Sequence, residues 1–146
     1  MQTFLPYPDF ADSAKVLDRL RLGKQRVEAM QILRTNLGQS SGWANHPATL
    51  MWRGHNQALA CYLVYVCDEW TSRGYVDSCG PWVSTFLDSC PAWDDAMLPP
   101  WLGGEAFHSA HRAALLAKDP AHYSTFGWTE APAINYIWPT KEPAHV

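Results

Sequence analysis

Arg21, Lys24, Arg26 and Glu28 are the residues of this chain whose types and spacing could do chemistry together. Glu28 follows Lys24 by four positions and Arg21 by seven, so in a helix turning ~100° per residue the carboxylate and two cations share a face, with Gln25 beside them. A carboxylate kept among cations suits general acid/base work. The same spacing fits a solvated, salt-bridged face, where each pair contributes only about 0.2–0.5 kcal/mol. Asn45 and His46, followed by Pro47, form a second set. They open a predicted helix whose free N–H groups, with Arg53 and His55 beyond, suit a phosphate, or they simply cap that helix. His108 and His111, three apart with Arg112 adjacent, could begin a metal site, but no motif supplies a third ligand. Hydrogen bonds to the tail or to a phosphate are the plainer use of such a pair. There is no Ser-His-Asp pattern, Gly-rich nucleotide loop or Walker motif, so neither a metal nor a cofactor is expected.

The element that must position the first set runs from Asp12 to Gly38. Asp12 reads as its N-cap and Gly38 as the residue just past its end, giving about seven turns. Val16, Leu20, Gly23, Val27 and Met30 form one apolar strip, and Leu22, Ala29 and Leu33 another. Two strips predict a helix through the middle of the domain, with its charges lying in a groove. Ahead of it, Pro6 and Pro8 among Phe4, Tyr7 and Phe10 predict an extended segment packed on that helix. Residues 47 to about 73 predict a second, long helical stretch that Gly54 can divide and Gly74 ends. A short helix is expected near Val83–Ser89 and a C-terminal one over Glu105–Lys118, stopped by Asp119-Pro120. The aromatic-rich tail beyond reads as irregular coil wrapped over the helices. No repeat and no strand is evident, and the expectation is one compact all-α domain over residues 1–146.

The chain of 146 residues carries eight Trp, six Tyr and five Phe, enough for a core with aromatics left to stack on a planar ligand. No run of 18 apolar residues occurs, and the first ten residues lack the pattern of a signal peptide, so a cytoplasmic protein without membrane association is expected. The four cysteines form no C-x-x-C pair and read as reduced, with Cys61 and Cys67 in a helix core. The net charge of −3 hides an asymmetry. Residues 13–56 hold seven cations against two acids, whereas residues 57–146 hold four cations against ten acids. A local basic face is available for nucleic acid, but not a basic body.

Three segments resemble one family, the pyrimidine-dimer DNA glycosylases of the phage endonuclease V type. LDRLRLGKQRVE (residues 17–28) is similar to the family's first-helix motif. The stretch from Asn45-His46-Pro47 to Arg73-Gly74-Tyr75 resembles its second helical region, and the segment from Lys118-Asp119-Pro120 through Phe126-Gly127-Trp128 its C-terminal aromatic region. Together, in this order, they cover most of the chain. The resemblance implies an all-helical fold whose N-terminal segment threads between helices. It also implies removal of a damaged or altered pyrimidine, followed by strand cleavage at the abasic site. In such enzymes the first residue's α-amine attacks the sugar C1′ to form an imine, assisted by a glutamate at the position of Glu28. Family members start with a small residue after Met removal; here Gln2 is large, so Met1 is expected to stay and to offer its amine. Val27 replaces an arginine beside the glutamate, and Arg26 stands one position earlier.

An α-amine is ordinarily ~2.5 pK units less basic than a lysine amine, so far more of it is neutral at pH 7. Lys24 is the alternative nucleophile if Arg21 and burial keep it neutral, and water activated by Glu28 is the third. The expectation is therefore Glu28 as acid/base, with Met1 or Lys24 as amine. Arg21 and Arg26 would clamp phosphate or sugar, and Gln25, Asn45, His46 and His111 would line the pocket. The expected partner is duplex DNA bearing an altered pyrimidine. The rivals are a hydrolase or transferase on a free nucleoside or nucleotide and a non-enzymatic nucleic-acid-binding module. No residue names the lesion or the oligomeric state.

Overall fold

The structure, a computed structural model, describes residues 1–139. The chain order is an extended segment, α1 (Phe10–Val16), α2 (Arg19–Asn36), α3 (Pro47–Met51), α4 (Asn56–Ser72), α5 (Cys79–Asp88), α6 (Glu105–Lys118) and α7 (Pro120–Tyr123). Two single 3₁₀ turns, Asp95–Met97 and Ser124–Phe126, complete the list, and no strand occurs among the described residues. The domain is all-α. No helix of the described residues is long and apolar enough to cross a membrane.

The predicted single helix over residues 12–38 is two helices. Leu17 is extended, and Asp18 is the N-cap of α2, its carboxylate accepting from the Arg21 N–H. Asp18 caps here because Tyr123, more than a hundred residues on, holds it. The Tyr123 hydroxyl donates to the Asp18 carboxylate and accepts the Asp18 N–H at 3.0 Å. The carbonyls left open at the end of α1 are taken up by Arg73, which donates to Ala14 and Lys15, and by the His122 ring on Val16. Asp9, not Asp12, caps α1. The other end of the prediction stands: Gly38, at φ 79°, closes α2 with its N–H on Thr35 and the Gln39 N–H on Arg34.

Burial on α2 also differs from the two-strip expectation. Leu22, Gln25, Ala29, Ile32 and Leu33 are buried, packed toward α4, which itself also meets α1 and α5. Of the other strip, Leu20 and Val27 are exposed; Gly23 lies under the Trp70 ring, so close that a Cβ would stand 3.0 Å from it. Gly54, at φ 84°, separates α3 from α4, and Gly74, at φ 94°, ends α4, as their spacing predicts. All four cysteines are free. The tail expected as coil begins with α7 and the 3₁₀ turn Ser124–Phe126, and beyond them it packs as irregular chain: Trp128 stacks on Tyr123 and donates to the Tyr7 hydroxyl, and Tyr136 lies edge-on to Phe4.

The second side of α2 is covered by residues 2–6, an extended buried segment that pairs with no strand. Its backbone groups are met by side chains instead. Gln25 donates to the Gln2 carbonyl and accepts the Phe4 N–H; Tyr62 donates to the Phe4 carbonyl at 2.8 Å. His111 accepts the Leu5 N–H at 2.9 Å, and His108 donates to the Leu5 carbonyl at 2.7 Å. Arg112 donates to the Pro6 carbonyl, and the Trp52 indole to the Thr3 hydroxyl. The histidine pair thus clamps the N-terminal segment, not a metal or the tail. His108 Nε2 accepts the Gly103 N–H, so its proton sits on Nδ1; His111 needs the opposite tautomer.

Two outcomes follow from this clamp. Replacing Gln25 by Leu strands the Gln2 carbonyl and the Phe4 N–H in the core and lowers stability by about 2–4 kcal/mol in urea titration. Burial pushes the His111 ring down to about 3, well under the value an unfolded chain would show. Between those values only the unfolded state takes the proton, so this stability is complete above about pH 6.5 and is lost as pH falls toward 3. NMR titration is expected to show the His111 ring still neutral at pH 5.

Candidate active site

A cleft of about 470 Å³ opens where the N-terminal segment, the first three turns of α2 and the end of α6 meet. Met1, Gln2, Arg21, Lys24, Gln25, Glu28, Lys118 and Tyr136 line it, with Phe4 and Leu20. Glu28 is half-buried and accepts the Gln2 N–H on Oε1 at 3.2 Å. That bond sets the carboxylate one peptide unit from the α-amine of Met1. The expected Lys24–Glu28 and Arg21–Glu28 salt bridges are not formed among the described residues. Glu28 therefore keeps lone pairs turned to the cleft.

The cations divide into those fixed to the fold and those available. Arg21 is held at the rim by Asp18, 3.1 Å away. Burial alone would raise the Asp18 carboxyl, but hydrogen bonds from Tyr123 and Arg21 outweigh it and hold the group below its ordinary value. Lys24 is exposed at the mouth, and Lys118 reaches the cleft from the last position of α6. Neither makes an ion pair among the described residues.

Arg26 lies elsewhere. Its guanidinium bonds Asp77 at 2.6 Å and sits 4.5 Å over the Trp70 ring, and Asp77 in turn accepts the Cys79 and Gly80 N–H groups at the start of α5. The clamp role expected of Arg26 is thus replaced by a tie between α2, α4 and α5. Gln25 reaches the cleft floor, but both ends of its amide are engaged by the N-terminal segment. His111 stands behind the wall, buried against Phe4 and Tyr136. Asn45 is exposed and does not line the cleft; His46, one position later, is the N-cap, its Nδ1 accepting the Ala48 N–H. The phosphate site imagined there reduces to the cap of a five-residue helix. His46 nevertheless feels the cleft: burial lowers its proton affinity, the Met1 ammonium lowers it further, and Glu28 raises it.

Sequence reasoning missed Gln2, Lys118 and Tyr136 as lining residues. Lys118 carried a faint signal as the start of the third resembling segment, and Tyr136 carried none. The Gln2 side chain is buried in the cleft wall with its amide nitrogen unpartnered among the described residues.

The family model described as pyrimidine dimer DNA glycosylase matches residues 1–80, which span the N-terminal segment and every helix through α4. No curated protein and no solved structure matches the chain. Met1, Arg21, Lys24 and Glu28 fall inside the matched span, and Lys118 and Tyr136 outside it.

Two variants separate the cations. Lys118→Ala is expected to weaken DNA binding at every sequence and to reduce the magnitude of the salt-dependence slope by about 1, with folding unchanged. Arg26→Ala does the reverse: stability drops by about 3 kcal/mol because Asp77 is left buried and unpaired, while the salt slope stays as it was. Fluorescence anisotropy across a salt series and thermal melts read both.

Proposed function

The chain belongs to the pyrimidine dimer DNA glycosylase family, and on that premise we propose that its cleft breaks the glycosidic bond of an altered pyrimidine in duplex DNA and then opens the strand at the abasic site. The observation that carries this reading is the bond from the Gln2 N–H to Glu28, which brings a carboxylate and a chain-terminal amine to one cavity. Chemistry at C1′ inside a cleft between these elements requires the nucleotide to leave the base stack.

The neutral Met1 amine offers its lone pair to C1′, and the C1′–N1 bond pair departs with the pyrimidine, which takes up a proton. Glu28 steadies the positive charge developing at C1′ and accepts the proton that the amine sheds on becoming an imine. Opening of the sugar ring at O4′ completes the imine. Loss of a proton from C2′ then expels the 3′ phosphate with the C3′–O bond pair. Nothing is oxidised or reduced. Arg21, Lys24 and Lys118 ring the cleft where the flanking phosphates pass. The unpartnered Gln2 amide nitrogen suits a pyrimidine carbonyl, which would satisfy a donor that otherwise stays buried and unpaired.

Glu28→Gln is expected to lower base release by about 10²- to 10⁴-fold while duplex binding stays near wild type. Borohydride reduction on an abasic-site duplex should trap a covalent adduct that maps to the Met1 peptide. Normal turnover in Glu28→Gln would remove the assignment. An adduct on Lys24 would move the nucleophile, and base release without any adduct would assign the attack to water.

A further inference from the structure

Trp43 is the only non-glycine among the described residues with positive φ, at 62°. A bulky side chain in this left-handed conformation is strained, and such strain persists only where neighbouring structure enforces it. Here it does. The Thr35 hydroxyl donates to the Gly42 carbonyl at 2.7 Å, and Arg53 donates to the Ala44 carbonyl at 3.1 Å, so the loop is pinned on both sides of Trp43. Yet the residue held there is 54% exposed, more than any other aromatic residue among those described. A turn needing only its backbone shape would take Gly or Asn at this position; an indole there presents about the largest flat apolar face a protein has.

A row of edge-on ring contacts runs from it to the cleft. Trp43 meets the His46 ring edge-on at 5.7 Å, His46 meets Trp138 at 5.8 Å, and Trp138 meets Tyr136, a cleft residue, at 5.5 Å. The row ends at Tyr136, which lines the cleft together with Met1 and Glu28. On the backbone one residue after Trp43, exposed Arg53 bonds the Ala44 carbonyl and has no acidic partner among the described residues, which leaves charge for a phosphate near the stacking face. A flat apolar ring with an adjacent cation is the pairing that receives single unstacked nucleotides.

We propose that Trp43 is a nucleobase-stacking site: its indole receives an unpaired base next to the nucleotide held in the cleft, with Arg53 on that nucleotide's phosphate. Base–aromatic stacking favours any base that has lost its own neighbours, so the site would select duplexes already locally opened. This inference rests on the proposed activity for the cleft's occupant, but the stacking itself needs no turnover.

The test uses the full chain and a duplex carrying one unpaired 2-aminopurine. Wild-type protein is expected to quench the probe's fluorescence as the indole stacks on it. Trp43→Ala should abolish the quench and weaken binding by roughly 5- to 150-fold, and Trp43→Phe should retain most of both. Trp43→Gly gives the second readout: Gly accepts the positive φ, so this variant should melt no earlier than wild type while losing the quench. Absence of quenching by wild type, or equal quenching and affinity in Trp43→Ala, overturns the proposal. Base release from a pyrimidine-dimer duplex is measured in parallel. No release by wild type with a Trp43-dependent quench overturns the activity and leaves the stacking site standing; normal release without any such quench does the opposite.

Discussion

A buried extended segment without a strand partner is the constraint on which this fold turns. Backbone N–H and C=O groups taken out of water each need a partner, and an unmet one costs about 1–3 kcal/mol. Residues 2–6 meet none on another backbone. Their partners are Gln25 and Glu28 from α2, Tyr62 from α4, and His108, His111 and Arg112 from α6. Each of these bonds specifies one register of the segment, because a slip of one residue would turn every donor toward the wrong group. The helices are thereby tied through a strand of chain that belongs to none of them.

This arrangement shows why some of the sequence could be read and some could not. Local signals were legible: the Gly54 and Gly74 breaks, the Gly38 stop, the Glu105–Lys118 helix and the Pro-rich opening all follow from backbone propensity within a few residues. The break at Leu17–Asp18 was not, because what holds it is a tyrosine more than a hundred positions away. Arg26 misled for the same reason. Two positions before Glu28, it lies about 200° round the helix from the carboxylate, and the distant Asp77 is the partner it meets on that side. Gln25 does line the cleft as read, but nothing local reveals that a backbone will occupy its amide. In the candidate site, Met1, Arg21, Lys24 and Glu28 were found from one helical face and a resemblance. Lys118 and Tyr136 come from chain that reaches the cleft only through tertiary packing.

Charge follows the same division. The first third of the chain is rich in cations, but several cations of the fold are neutralised at once: Arg26 by Asp77, Arg73 by Glu69, and Arg112 by Glu105 and Glu130. Those pairs fasten elements together and contribute little field at a distance. Lys24 and Lys118 at the cleft mouth make no ion pair among the described residues, and neither do Lys15, Arg19, Arg34 and Arg53 elsewhere on the surface, while Arg21 at the rim shares its charge with Asp18. A protein of net charge −3 can in this way present a positive opening without being basic overall.

The histidine clamp also fixes the proposed nucleophile within the fold. A terminal amine on a loose segment would sample many positions, and its approach to a sugar carbon would have to restrict them at each encounter. Here that restriction is made once, during folding, by bonds that hold only while His108 and His111 stay neutral and in opposite tautomers. Burial enforces that neutrality, pushing both rings below their ordinary proton affinity. Acid would charge the clamp, release Leu5 and with it the register that sets Gln2 against Glu28. Stability of the core and alignment of the proposed nucleophile are therefore one property of this molecule, maintained by the same two rings.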